Sequence, residues 1–286
     1  MSSNGRTGIA GQFSTRVIAL MPVAIAINIA LGFTVQTVLK LPIYLDSIGT
    51  ILVGVLAGPL AGALTGILSN LIWQYAPGIG GGSIGPFAIT AGVIGLLAGL
   101  WGQLGVYRSR PASTPQVVGA AAIAAVLIAV LVLPIYNNPA YTNPNIGGYP
   151  GWVFTAIVVI GVVAAAVVAG FIIVRRDLAG FWVAVAGALT GVVAALVSAP
   201  ISAYVFGGVT GSGTDLLVAA LRQGGANVLQ ASLGQGLISD PIDKTITSFV
   251  VFVILANLSS RLIARFPLGE RLTDAEPGRV TAERPA

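Results

Sequence analysis

The sequence predicts an all-α polytopic membrane protein, with about eight transmembrane helices plus one re-entrant or surface helix. Three observations carry that expectation. Of 286 residues, 56% are hydrophobic and only 8% are charged, where a soluble domain carries about 25% charged residues. Mean hydropathy is +0.93. The apolar residues fall in runs long enough for membrane helices, separated by Gly-, Pro- or Arg-bearing breaks.

Composition also excludes chemistry. The chain has no cysteine, so disulfides, thiolate nucleophiles and Cys-ligated metals are ruled out. It has no histidine, the commonest general base and metal ligand. No catalytic set or metal site is expected, no cofactor is implied, and the protein is not read as an enzyme. The glycine-rich loop Pro77–Pro86 lacks the Lys-Ser/Thr of a phosphate loop, so any ATP use falls to partner proteins. The net charge of +5 comes from Arg at loops and tails, which suits anchoring at the cytoplasmic face rather than nucleic-acid binding.

The chain divides into a Gly/Ser/Thr-rich tail at 1–15, one membrane domain at 16–265 and a charged tail at 266–286, both tails expected to be disordered. The first span runs from about Arg16 to Phe33 and carries Pro22 and Asn28. It has no cleavage-site pattern and is read as retained. The next two, about 42–57 and 59–74, meet at Gly58-Pro59. The former is short for a membrane of roughly 30 Å, so it must be tilted or buried among other helices. A fourth span covers about Phe87–Val106 and a fifth about Val117–Pro134. The loop 135–151 has turn composition. The sixth and seventh spans cover about Trp152–Val174 and Phe181–Val205. Residues 215–235 carry Arg222, Gln223, Asn227, Gln230 and Gln235, too polar for a lipid-facing span, and are read as the re-entrant or surface helix. The last span covers about Ile242–Ile263.

Loop charge sets the expected orientation. With the N-terminus in the cytoplasm, Gly58-Pro59, Arg108/Arg110 and Arg175/Arg176 are cytoplasmic, as the positive-inside bias requires. Arg261 and Arg265 join them if residues 215–235 do not span. The expectation is a multi-pass cell-membrane protein with both termini inside. The hexapeptide AGALTG occurs twice, at Ala61–Gly66 and Ala186–Gly191. It reads either as duplication or as two close-packing helix faces.

Under this topology the strongly polar residues gather toward the outer side. Candidate ligand contacts are Asp46, Asn70, Trp73, Arg222, Asn227, Asp240, Asp243 and Lys244. Charges at membrane depth face a cavity, a partner or a substrate, and neighbouring aromatics supply contact surface. Each has a structural alternative. Asp46 lies near a helix start, Asp240 before Pro241 resembles an N-cap, Asp243 and Lys244 can pair with each other, and Trp73 suits an interfacial belt. The carboxylates are expected near one face, not at the midplane where a proton-coupled carrier needs them.

The stretch KLPIYLDSIGTILVGVLAGPLAGALTGILSNLI, with small residues at Ala26 and Ala30 on the first span, resembles the substrate-binding (S) component of an energy-coupling factor (ECF) transporter. The match covers about residues 16–106. The later segments SAPISAYVFGGVTGSGTDLL and SDPIDKTI are similar to uncharacterised members of the same group. S components usually have six helices, fewer than the eight counted here. The resemblance implies an ECF-type bundle that captures a small polar micronutrient, a vitamin or precursor, at the outer face. It implies docking through Ala26 and Ala30 on a transmembrane coupling subunit that carries ATPase subunits. The alternatives are a stand-alone secondary transporter, or a membrane sensor module, which the lack of an output domain after residue 266 disfavours. The acidic residues would suit a cationic ligand, while Arg222 and Lys244 would suit a carboxylate or phosphate.

Overall fold

A computed structural model describes residues 9–79, 84–137 and 152–273. The outer parts of the expected tails, residues 80–83 of the glycine loop and most of the loop 135–151 lie outside them. The described residues form a helical bundle. Its main helices are α1 (Thr15–Gly32), α2 (Ile48–Ala57), α3 (Pro59–Tyr75), α4 (Ala88–Gln103), α5 (Thr114–Asn137), α6 (Trp152–Arg175), α7 (Ala179–Phe206), α8 (Asp215–Gln223) and α9 (Val228–Asn257). Four stretches among the described residues are long and apolar enough to cross a membrane: Thr15–Val38, Gly85–Gln103, Thr155–Arg175 and Ala179–Phe206. The chain is therefore a membrane-embedded helical protein.

Boundaries differ from expectation in three places, each for a local reason. The first helix does not stop at Phe33. It continues as a π-helical stretch, Phe33–Val38, which widens the turn and buries Gln36. The second span does not start at 42. Residues 39–47 are largely irregular, and α2 begins at Ile48. All ten residues of α2 are buried, so the shortest span is walled in by protein, as its length requires. Third, residues 215–235 are not one helix. They divide into amphipathic α8, a turn, and the first turns of α9, which runs unbroken through Pro241 to Asn257.

The two AGALTG copies do the same packing work. A methyl group at Gly62 would lie 2.6 Å from the Gly95 carbonyl oxygen, and one at Gly66 would lie 2.4 Å from that of Ala91. In α7, a methyl at Gly187 would lie 2.6 Å from the Lys244 carbonyl oxygen, and one at Gly191 would lie 2.4 Å from that of Asp240. The absent side chains let α3 meet α4, and α7 meet α9, at backbone contact. Thr65 and Thr190 each return their hydroxyl to the carbonyl four residues back, Ala61 and Ala186. Trp101 Nε1 donates to Thr190 Oγ1 at 2.9 Å, joining α4 to α7.

One end of the bundle is tied by arginine-rich turns. Gln12 Oε1 accepts from Leu60 N, Leu268 N donates to Leu56 O, and Arg271 Nη1 donates to Gln103 O. Arg16 Nη1 donates to Arg265 O, and residues 110–112 pair with 176–178. The described parts of both expected tails, residues 9–15 and 266–273, belong to this end, with Leu268 and Leu272 buried.

Candidate functional site

The opposite end holds a cavity of about 350 Å³. Its walls come from the π-helical stretch after α1, residues 44–47, the far ends of α3 and α7, residues 84–87 with the near end of α4, the loop 207–214 and the first half of α9. Five of the eight expected contact residues line it: Asp46, Asn70, Trp73, Asp240 and Lys244.

Residues 39–47 form a strap along one wall. Irregular backbone among membrane helices is tolerated only where protein satisfies its polar groups. Asp243 does this here. Its Oδ1 accepts from the amides of Tyr44 (3.0 Å) and Leu45 (2.8 Å), and Leu45 sits in the left-handed region at φ 53°. The other oxygen of Asp243 takes Lys244 Nζ at 2.6 Å. Lys244 also donates to Ser47 Oγ at 2.6 Å and stands 3.5 Å from Asp46 Oδ1. Gln36, carried inward by the π-helical stretch, donates to Asp46 Oδ2 at 3.0 Å. Lys40 Nζ reaches Gly211 O, and a side chain on Gly213 would clash with the Lys40 and Leu41 carbonyls, so the loop 207–214 lies directly on the strap. The Tyr44 hydroxyl meets Thr214 Oγ1 and accepts from Gln235 Nε2.

Beneath the strap, Asn28 joins three helices. Its Nδ2 donates to Thr50 Oγ1 (2.8 Å) and Ser69 Oγ (2.9 Å), and its Oδ1 accepts from Gly49 N (2.7 Å). The Trp73 indole packs where a side chain on Gly32 would stand, and its N–H donates to Ile79 O at 2.8 Å. Phe87, also in the wall, stacks on Phe206 with ring centroids 5.6 Å apart.

Two polar side chains in the wall find no hydrogen-bond partner among the described residues. Asn70 is 4% exposed, and its amide meets none of them at hydrogen-bond distance. Thr90 is 8% exposed, and its Oγ1 is likewise unpartnered. Buried polar groups are ordinarily satisfied, because an unmade hydrogen bond costs about 1–3 kcal/mol.

Several expectations need correction. Asp240 is not an N-cap; it lies inside continuous α9. Asp240, Asp243 and Lys244 sit near the middle of that helix rather than at its outer end, because α9 starts fourteen residues before the last span was expected to. Asp243 backs the wall and anchors the strap rather than lining the cavity. Arg222 is exposed on α8, and Asn227 is exposed as the N-cap of α9, exchanging side-chain-to-backbone bonds with Gln230. Neither reaches the cavity. Ala26 and Ala30 lie exposed on α1. Sequence reasoning did not single out Gln36, Tyr44, Ser47, Phe87 or Thr90. The detectable signal was an amide at 36 only ten residues before Asp46, across a proline-containing break.

Comparison of the chain with protein-family models, characterised proteins and solved structures returns no match.

Proposed function

We propose that the protein is a membrane-embedded capture subunit that takes a small polar molecule, a vitamin-like micronutrient, into this cavity from outside the cell. The carrying observation is that the cavity wall holds two polar side chains, Asn70 and Thr90, without a hydrogen-bond partner among the described residues. A protein leaves such groups open where a ligand completes them. Eight helices (α1–α7 and α9) cross the cell membrane in this reading, and α8 rests at the outer surface. The arginine-rich end and both termini are cytoplasmic, following the positive-inside bias.

The ECF resemblance supplies the partner side of the proposal. Ala26 and Ala30 offer a small-residue face on α1, which permits close approach of a coupling subunit's helix. The coupling subunit's ATPases then drive import. Co-purifying small molecules, identified by mass spectrometry, test the capture step. A bound metabolite is expected. Asn70→Leu should lose it without lowering the unfolding temperature of the empty protein, since that amide has no protein partner to forfeit. Finding no bound molecule, and no stabilisation by any of a vitamin panel, would remove the reading. Bulky Ala26→Trp and Ala30→Trp substitutions should abolish recovery of the coupling subunit in affinity purification.

The position of Asp240, Asp243 and Lys244 near the middle of α9 favours one second reading, a stand-alone secondary carrier, because ionisable groups at that depth mark ion pathways. Uptake by a host lacking coupling subunit and ATPases, abolished by a protonophore, would establish it.

A further inference from the structure

We propose that the occupant of the cavity is a compact organic cation: an ammonium or protonated nitrogen attached to an apolar body. This rests on the capture reading above and adds the ligand's charge. Two carboxylates, Asp46 and Asp243, meet a single ammonium, that of Lys244, and a third, Asp240, lines the same cavity without pairing with it. That ammonium is already engaged. Of its three N–H donors, two are given at 2.6 Å to Asp243 and Ser47, and Asp46 stands 3.5 Å away. Asp46 is served further by Gln36.

Asp240 has no such service. It is 4% exposed, faces the cavity, and its side chain receives only a long 3.4 Å bond from Ser239. No lysine or arginine approaches it within ion-pair distance among the described residues. Of the other cations at this end, Arg222 is exposed on α8 and Lys40 is exposed on the strap with its ammonium given to Gly211 O, and neither lines the cavity. An anionic ligand would therefore find carboxylates and no free cation in the wall, whereas an ammonium would supply Asp240 with the counter-charge it lacks in a low-dielectric surround.

The rest of the wall describes the rest of the ligand. Trp73, Phe87 and Ile94 offer aromatic and aliphatic surface for an apolar body. The unpartnered amide of Asn70 suits one neutral polar group. A bare metal ion would leave these unused, and no cluster of carboxylates with metal-binding geometry occurs among the described residues. The volume of about 350 Å³ lies at the small end for ligand sites.

The test uses three probes of similar shape on the purified full chain: 2-phenylethylammonium, 2-phenylethanol and 3-phenylpropionate. The readouts are saturable rise in unfolding temperature and quenching of tryptophan emission, with Trp73→Phe to identify the cavity's signal. The ammonium is expected to half-saturate at a concentration at least tenfold below the other two. Asp240→Asn should erase that difference, and Arg222→Gln should leave it intact. If the alcohol or the acid binds as tightly and Asn70→Leu still weakens it, the charge assignment is overturned while the capture reading stands. If no probe binds, the charge of any co-purifying metabolite decides, a neutral or anionic one overturning the assignment. If no probe binds and nothing co-purifies, both readings fall.

Discussion

Asp243 accepts from two strap amides and pairs with Lys244, so its removal strands three donors in the bundle at once. Truncating one partner of a buried ion pair costs about 3–5 kcal/mol, chiefly because the other charge is left alone. Asp243→Ala is therefore expected to lower the unfolding temperature in detergent more than Asp46→Ala, whose carboxylate is partly exposed and stands farther from Lys244. The double variant Asp243→Ala/Lys244→Met should recover part of the loss, a non-additivity that reports direct coupling. Equal effects of the two single variants, with full additivity in the double, would mean that the pair does not hold the strap. Asp46, Asn70, Trp73, Asp240 and Lys244 were legible from sequence because a charge, amide or indole in an apolar run must find somewhere polar to go. Asn227 and Arg222 misled for the converse reason. Their neighbours are polar too, and a capping box or a wet helix face satisfies such residues without any cavity.

At the scale of elements, the paired helices α3–α4 and α7–α9 depend on backbone contact at the repeated hexapeptide. Overpacking such a contact costs about 1–3 kcal/mol. Gly66→Ala and Gly191→Ala should each destabilise, since the added methyl would stand 2.4 Å from a carbonyl oxygen. Gly119→Ala on α5 is the control, because nothing lies within 4 Å of its position; there alanine's better helix propensity should leave stability unchanged or slightly raised. Thermal unfolding of the three variants checks this, and indistinguishable midpoints would contradict tight packing at the hexapeptides. Spans were legible as apolar runs, but the boundaries around α8 and α9 were not. Polar residues in 215–235 suggested one peripheral helix, whereas Gly224 and Gly225 end α8 there and Asn227 starts α9 afresh. The helical continuity through Pro241 was hidden because proline usually marks a break, and only tertiary packing against Gly187 and Gly191 shows why α9 persists.

The molecule as a whole has two unlike ends. Among the described residues, Arg16, Arg108, Arg110, Arg175, Arg176, Arg261, Arg265 and Arg271 sit with the turns remote from the cavity, whereas Lys40, Arg222 and Lys244 are the cations of the cavity half. Basic residues near span ends resist translocation, so the arginine-bearing end should stay in the cytoplasm and the cavity should open outward. The absence of cysteine makes this directly measurable, since any introduced thiol is unique. Val209→Cys places one in the exposed loop above the cavity, and Ser260→Cys places one in the exposed turn after α9. In intact cells a membrane-impermeant maleimide should label the former and spare the latter, and permeabilisation should expose both. The same two reporters test the crossing count between them. Because α7 ends before Val209 and α9 ends before Ser260, opposite labelling requires an odd number of crossings between the two positions, which α9 alone provides if α8 stays at the surface. Labelling of both thiols from outside would mean that α8 and its turn also traverse the bilayer. Labelling of Ser260→Cys alone would invert the molecule and turn the cavity toward the cytoplasm, ending its role in capture from outside.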